Sequence, residues 1–189
     1  MVPWHAHRVE TTWLKMAKAG LAKLRSPSTG RAVLRLGSIC AGSDIGAKVL
    51  EELAKFWEET YDLKPDVEVA WQCEKCPKKQ AHLKLHVEAD HLFSDAKSLR
   101  PTGVLDEISG KVVLVPYVDL LMAGFPCTRR SPLSWHAKDN LNCVQSGTGS
   151  TGAVFSEVLE VISSSLPSMV VLENAVPARR EERRPAVRR

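Results

Sequence analysis

From Val33 onward, short apolar runs alternate with longer segments whose apolar residues recur at helical spacing. Val33–Ile39 reads as a first strand, ending at Cys40-Ala41-Gly42-Ser43-Asp44. Leu50, Leu53, Ala54 and Trp57 mark the buried stripe of a helix over roughly 45–60. Val67–Trp71 is a second strand, followed by a helix over about 78–88. Leu92 and Phe93 sit in a short third strand that ends near Asp95. Val118–Ala123, the most apolar run, is a fourth strand. Val154, Phe155, Val158, Leu159 and Ile162 give a further helical face, and Met169–Leu172 a fifth strand. Strands this short alternating with helices predict an α/β protein: a doubly wound, mostly parallel sheet covered on both faces.

The flanks follow a different pattern. Trp13, Ala17, Leu21 and Leu24 recur at helical spacing beside Lys15, Lys18, Lys23 and Arg25, with Thr11 or Thr12 as the expected cap. Ser26-Pro27-Ser28-Thr29-Gly30 reads as a linker. The last dozen residues are Arg, Glu, Pro and Ala without periodicity, the pattern of a disordered tail. The expected organisation is a basic helix and linker (1–32), one domain (33–176) and an Arg-rich tail (177–189).

The chain has 189 residues, 44% of them hydrophobic, enough for one domain with a real core. No run of 18 apolar residues occurs, so no membrane-spanning helix and no membrane partner are expected. Cys40, Cys73, Cys76, Cys127 and Cys143 are an odd number in a chain without a secretory signal, which points to reduced thiols. The formal net charge of +4 is unevenly divided. Residues 1–35 carry +6 and residues 178–189 carry +4, whereas the stretch between holds 13 basic and 19 acidic side chains. For the basic N-terminal helix three readings stay open: a solvated appendage, a nucleic-acid contact, or an acid-poor organelle transit segment.

In an open α/β sheet, ligands bind outside the carboxyl ends of the strands. Gly42 lies in a small-residue turn after the first strand, where backbone N–H groups approach a ligand at a helix N-terminus. Glu74, after the second strand, suits ribose hydroxyls or plain solvent, and Asp95 after the third carries the same ambiguity. Gly124-Phe125-Pro126-Cys127 closes the fourth strand, and Thr128-Arg129-Arg130 follows it. A thiol placed there, beside two arginines, has the setting of a nucleophile rather than a core filler. Glu173-Asn174 closes the fifth strand in the same crevice. Cys40 and Cys143, taken alone, read as small apolar fillers.

From about Leu34 to Val176, these residues resemble the cytosine-C5 DNA methyltransferase family. Leu36-Gly37-Ser38-Ile39-Cys40-Ala41-Gly42 is similar to the family's cofactor motif, and Asp119–Cys127 to its catalytic Pro-Cys motif. Thr151-Gly152-Ala153-Val154-Phe155 with Glu157-Val158-Leu159 resembles the helix after the catalytic loop, and Val171–Ala175 the Glu-Asn-Val motif. The resemblance implies a Rossmann-like methyltransferase fold with S-adenosylmethionine as cofactor and no metal. Cys127, Glu173 and Asn174 would form the catalytic set. Cys127 would add to C6 of cytosine while Glu173 supports protonation at N3, and Asn174 would hold the loop. The resulting enamine would take the methyl group, and loss of the C5 proton would release the enzyme. The target base would have to be flipped out of DNA. Cys40, Ala41, Gly42 and Ser43 would lie against the methionine part, Glu74 on the ribose and Asp95 on the adenine amino group, with Pro126 on the cofactor side.

The chain also departs from the pattern. Asp44-Ile45 stands where the family has a glycine pair; Thr128, Thr151 and Ala175 replace the family's Gln, Arg and Val. Nothing after Val176 resembles the later motifs or the target recognition domain. The expectation is therefore a catalytic half, truncated or completed by a second chain. Two rivals keep the fold: a remnant that binds cofactor or DNA without turnover, and a methyltransferase acting on transfer RNA. A third is a zinc module at Cys73-x-x-Cys76 with His82, His86 and His91, against which stands the five-residue gap from Cys76 to His82. For a eukaryotic chain the resemblance implies the nucleus, with organelle targeting by the basic N-terminus as the other expectation.

Overall fold

The computed structural model of the chain describes residues 4–24, 31–100, 102–127 and 143–174. Its elements run α1 (Trp4–Lys23), β1 (Ala32–Ile39), α2 (Ile45–Tyr61), β2 (Pro65–Cys73), α3 (Pro77–His86) and β3 (Ala89–Phe93). A 3-10 turn (Ala96–Ser98) and a hairpin of β4 (Val104–Leu105) and β5 (Val112–Val113) follow. Then come β6 (Leu120–Gly124), α4 (Cys143–Ser146), α5 (Gly149–Ser165) and β7 (Met169–Glu173). The expected linker at Ser26–Gly30 and the tail from residue 177 lie outside the described residues.

The five main strands stand in the order β3-β2-β1-β6-β7, every neighbouring pair parallel. The chain winds outward from β1 to β3, returns, and winds the other way through β6 and β7. The order therefore reverses between β1 and β6, and a cleft opens there at the strands' carboxyl ends. This is the doubly wound, Rossmann-like arrangement that the strand–helix alternation predicts.

Each face of the sheet has its own core. On one face Leu34, Leu36, Val69 and Leu120 pack with Ala47 and Leu50 of α2. On the other, Ile39, Trp71, Cys73, Phe93, Leu121 and Ala123 pack with Val158 and Val161 of α5. Trp71 is fully buried, and its indole N–H donates to the Pro116 carbonyl at 3.0 Å. Its ring lies over Gly37, where an added Cβ would come within 2.7 Å of two ring carbons. The pairing shifts at this point: Leu36 faces Val69, but Gly37 faces Trp71, so β2 carries one extra residue.

Several elements differ from the sequence expectation. The first helix begins at Trp4 rather than at Thr11 or Thr12, because the sequence from Trp4 to Lys23 holds no proline and no glycine before Gly20. Leu53 is exposed, not part of a buried stripe; the contact with the sheet falls on Ala47 and Leu50 instead. β6 starts at Leu120 rather than Val118, since the Asp119 carboxylate accepts the Arg35 N–H at 2.9 Å and stands in for a ladder bond. All residues of β7 are exposed, so this edge of the sheet is not covered on both faces among the described residues.

The β4–β5 hairpin was not foreseen in the sequence because its strands are too short to show a period. A single buried carboxylate organises it. Asp106 accepts from the backbone N–H groups of Leu92 (2.9 Å), Ile108 (3.1 Å) and Ser109 (3.1 Å) and from the Ser109 hydroxyl (2.6 Å). His91 Nδ1 lies 3.2 Å away. Burial alone would raise the Asp106 pKa; these donors outweigh it and hold the carboxyl far below the usual range. An ordinary carboxyl titrates near pH ~4. The stabilisation is thus complete above about pH 4 and is lost as the pH falls toward the depressed folded value. Asp106→Asn is expected to cost about 2 kcal/mol and to flatten the decline of Tm between about pH 4 and pH 2. Thermal melts across that pH range check it; an unchanged acid slope would contradict the assignment.

Candidate active site

The cleft at the β1/β6 switch point has a volume of about 450 Å³, within the range of roughly 300–1,000 Å³ usual for small-ligand sites. One wall is the turn from Cys40 to Asp44, which connects β1 to α2; the other is formed by Met122, Gly124 and Glu173 at the ends of β6 and β7. The turn is unusual in its backbone. Cys40, Gly42 and Asp44 have φ of 57°, 63° and 47°, so two of its three left-handed residues carry side chains. At Gly42 an added Cβ would meet nothing closer than the Cys40 carbonyl at 3.9 Å. Glycine is there for its conformation and not for lack of room.

Two carboxylates brace this wall. Glu74, just past β2 and nearly buried, accepts the Gly42 N–H at 3.0 Å through Oε2 and the Cys76 N–H at 2.8 Å through Oε1. Lys79 Nζ is 4.0 Å from Oε2. A carboxylate offers about four lone-pair sites, so these bonds leave Glu74 able to accept from hydroxyl groups as well. Asp44 is buried and accepts the Ser38 hydroxyl at 3.1 Å and the Ala47 N–H at 3.2 Å through Oδ1, and the Gln72 side-chain amide through Oδ2. It thereby caps α2.

Farther along the sheet edge, Asp95 starts the 3-10 turn by accepting the Lys97 N–H at 3.1 Å, and Lys75 Nζ sits 3.0 Å from its other oxygen. Partial burial pushes the Asp95 pKa upward, but the Lys75 and Lys97 hydrogen bonds outweigh it and the net direction is down. The Cys40 thiol, by contrast, is pushed up to about 11, by burial first and then by the nearby Glu74 charge. Cys73 is raised too, again by burial first. Neither thiol is a thiolate at neutral pH.

On the β6 side, Gly124-Phe125-Pro126-Cys127 leaves the sheet with Cys127 half-buried. Phe125 is the anchor of this segment: its ring packs on Phe155 of α5 at 5.0 Å between centroids. Its carbonyl accepts the Asn174 side-chain amide at 2.8 Å. Glu173 is paired in register with Gly124, and its carboxylate Oε2 lies 3.5 Å from where a Gly124 Cβ would stand.

Cys40, Ala41, Gly42, Ser43 and Glu173 thus line one cleft, with Glu74 directly behind Gly42. Asp95 is set apart, paired with Lys75, and Pro126 and Cys127 lie beyond the cleft's lining. Thr128, Arg129 and Arg130 lie outside the described residues, as does Ala175. The residues of the zinc alternative separate: Cys73 is buried in β2, the His82 and His86 rings lie tilted against each other along α3, and His91 turns to Asp106. Among the described residues, no group of three or more His, Cys, Asp or Glu side chains is placed to hold a metal ion. Sequence reasoning missed Gln72 and read Asp44 only as a departure. The available signal was a Gln one residue from the end of a strand, directly after the apolar run Val69-Ala70-Trp71.

Fold and site define a Rossmann-like protein with a strand-end cleft whose rim carries a carboxylate and, just beyond it, a thiol. No family model matches the chain. It is 28% identical over 148 residues to the DNA (cytosine-5-)-methyltransferase DMT5 of Cryptococcus neoformans var. grubii. The match covers 77% of this chain and 6% of that protein, so the chain corresponds to a small part of the relative's length. The similarity supports a relationship to the cytosine-C5 methyltransferases, in line with the motifs. Two solved structures of the plantazolicin methyltransferase BpumL in complex with SAH are also similar, each at 10% identity. Each match covers 87% of this chain and 47% of the other, with TM-scores of 0.33 and 0.31. At those scores they add nothing to what the strand order already shows.

Among the described residues, Asn174 is the one polar side chain seen to tie the end of β7 to the segment before Cys127. Asn174→Ala is expected to lower stability by about 1 kcal/mol, and to speed amide hydrogen exchange at Phe125 and Cys127 while leaving β2 unaffected. Exchange rates at Phe125 and Cys127 equal to those of the unsubstituted chain would rule out the tie.

Proposed function

We propose that this chain carries the cofactor-binding and nucleophile-bearing part of a DNA cytosine-C5 methyltransferase. The observation that carries the reading is the junction at Phe125. Residues from three of the four motif segments meet there: the strand leading to Cys127, Phe155 of α5, and Asn174 beside Glu173. Packing alone gives no reason for an acid and a thiol-bearing segment to be joined at neighbouring strand ends.

The cleft, with the adjoining ends of β2 and β3, would hold S-adenosylmethionine. The Cys40–Ser43 turn would lie against its amino-acid part, the free lone pairs of Glu74 would accept from ribose hydroxyls, and Asp95 would accept from the adenine amino group. When bound, this cofactor supplies an electrophilic methyl group. Cys127, as thiolate, attacks C6 of a cytosine flipped out of the duplex, and Glu173 holds a proton at N3 so that the electron pair moves toward C5. Once C5 is methylated, loss of its proton expels the Cys127 sulfur and restores the aromatic ring. Asn174 keeps the Cys127 segment in place through the Phe125 carbonyl and does not touch the base.

The test is covalent trapping. Incubated with S-adenosylmethionine and a DNA duplex containing 5-fluorocytosine, the chain should form an adduct that survives denaturing electrophoresis, because fluorine at C5 cannot leave as a proton does. Cys127→Ala should abolish the adduct and Glu173→Gln should slow it by about 10²-fold or more. Cofactor binding without any adduct would favour an inactive remnant, and trapping on transfer RNA alone would move the substrate to RNA. An adduct persisting in Cys127→Ala would remove this thiol from the mechanism.

A further inference from the structure

We infer that Ser38, Asp44 and Gln72 are positioning residues for the cofactor, fixing the Cys40–Asp44 turn from beneath; the inference rests on the function proposed above. Ser38 and Gln72 are cross-strand partners in the register of β1 and β2, so their side chains emerge together on the face that α2 covers. All three residues are buried, and both Ser38 and Gln72 donate to the Asp44 carboxylate. The same carboxylate accepts the Ala47 N–H at the start of α2. One buried anion thus joins β1, β2 and α2 directly below the cleft, and Ser38 and Asp44 are themselves part of its lining.

Packing does not call for this arrangement. A Ser–Gln pair at the buried ends of two central parallel strands is a place where two apolar residues would cost less, and a carboxylate held there by neutral donors is costlier still. Asp44 also has left-handed φ, which a side chain disfavours and which tends to accumulate at functional sites. The network makes sense as the device that holds Asp44 in that conformation. Where the resemblance leads one to expect a glycine pair, free to take positive φ, this chain has an aspartate that takes it and is locked there. With Glu74 gripping Gly42 from the β2 end, both halves of the turn are fixed before a ligand arrives.

Calorimetric titration with S-adenosylhomocysteine tests this. Gln72→Met should raise Kd about five- to tenfold and Ser38→Ala a few-fold, each removing one donor to a buried charge. The exchange Asp44→Asn with Gln72→Glu, which rebuilds the bond with donor and acceptor reversed, should return Kd to within about twofold of the starting value. Asp106→Asn is the control: it lowers Tm through a buried carboxylate remote from the cleft and should leave Kd unchanged. If Gln72→Met does not fold, Ser38→Ala decides, since it deletes a single hydroxyl. Unchanged Kd in Ser38→Ala and in any folded Gln72→Met, or an equal rise in Asp106→Asn, overturns the inference while the proposed function stands. Failure of the unsubstituted chain to bind S-adenosylhomocysteine overturns the proposed function itself.

Discussion

The site depends on one carboxylate shared between two loops. Glu74 leaves the end of β2 and accepts one N–H from the turn after β1 and one from the start of α3. The last backbone bond between the two strands runs from the Ala41 N–H to the Cys73 carbonyl at 3.1 Å, and Glu74 continues the tie beyond it. The buried Glu74 carboxylate is oriented within its own loop by the Cys76 N–H and reaches across to the Gly42 N–H, adding a side-chain tie between the two loops. The cleft wall has its shape because of that clamp, and Asp44 beneath it completes the hold.

The opposite wall is built on another principle. There the chain crosses from β6 through α5 to β7, and its parts are joined at Phe125 by an aromatic contact and by a bond from the Asn174 side chain. No carboxylate clamp braces it among the described residues, and β7 has its apolar residues Met169, Val170, Val171 and Leu172 exposed. The thiols beside the braced wall, Cys40 and Cys73, are kept protonated by burial, Cys40 also by the charge of Glu74. Cys127 stands half-buried on the less constrained wall. The proposed function would use the two walls differently, the braced one for the cofactor and the other for the base.

Much of this was legible in the sequence because period and turn chemistry determine it. The alternation from Val33 to Leu172 gave every main strand and the longer helices, and the rule that ligands bind at strand ends led to Gly42, Glu74, Cys127 and Glu173. What stayed hidden was tertiary. Leu53 fits the helical stripe as well as Leu50 does, and only docking on the sheet decides which is buried. The start of β6 depends on Asp119 reaching the Arg35 N–H, a contact across 84 positions. The hairpin is organised by Asp106 through donors spread from Leu92 to Ser109. Gln72 draws no attention until β2 is laid in register beside β1 and its partner proves to be Ser38.

In the function proposed above, S-adenosylmethionine would sit against the Cys40–Asp44 turn, with its nucleoside reaching Glu74 and Asp95. Backbone amide chemical shifts, recorded as S-adenosylhomocysteine is added to the isotope-labelled chain, test this most directly. The predicted result is a continuous set of perturbed amides at residues 40–46, 74–76 and 95–97, with the β4–β5 hairpin undisturbed. Perturbations confined to other surfaces, or none at saturating ligand, would contradict the account.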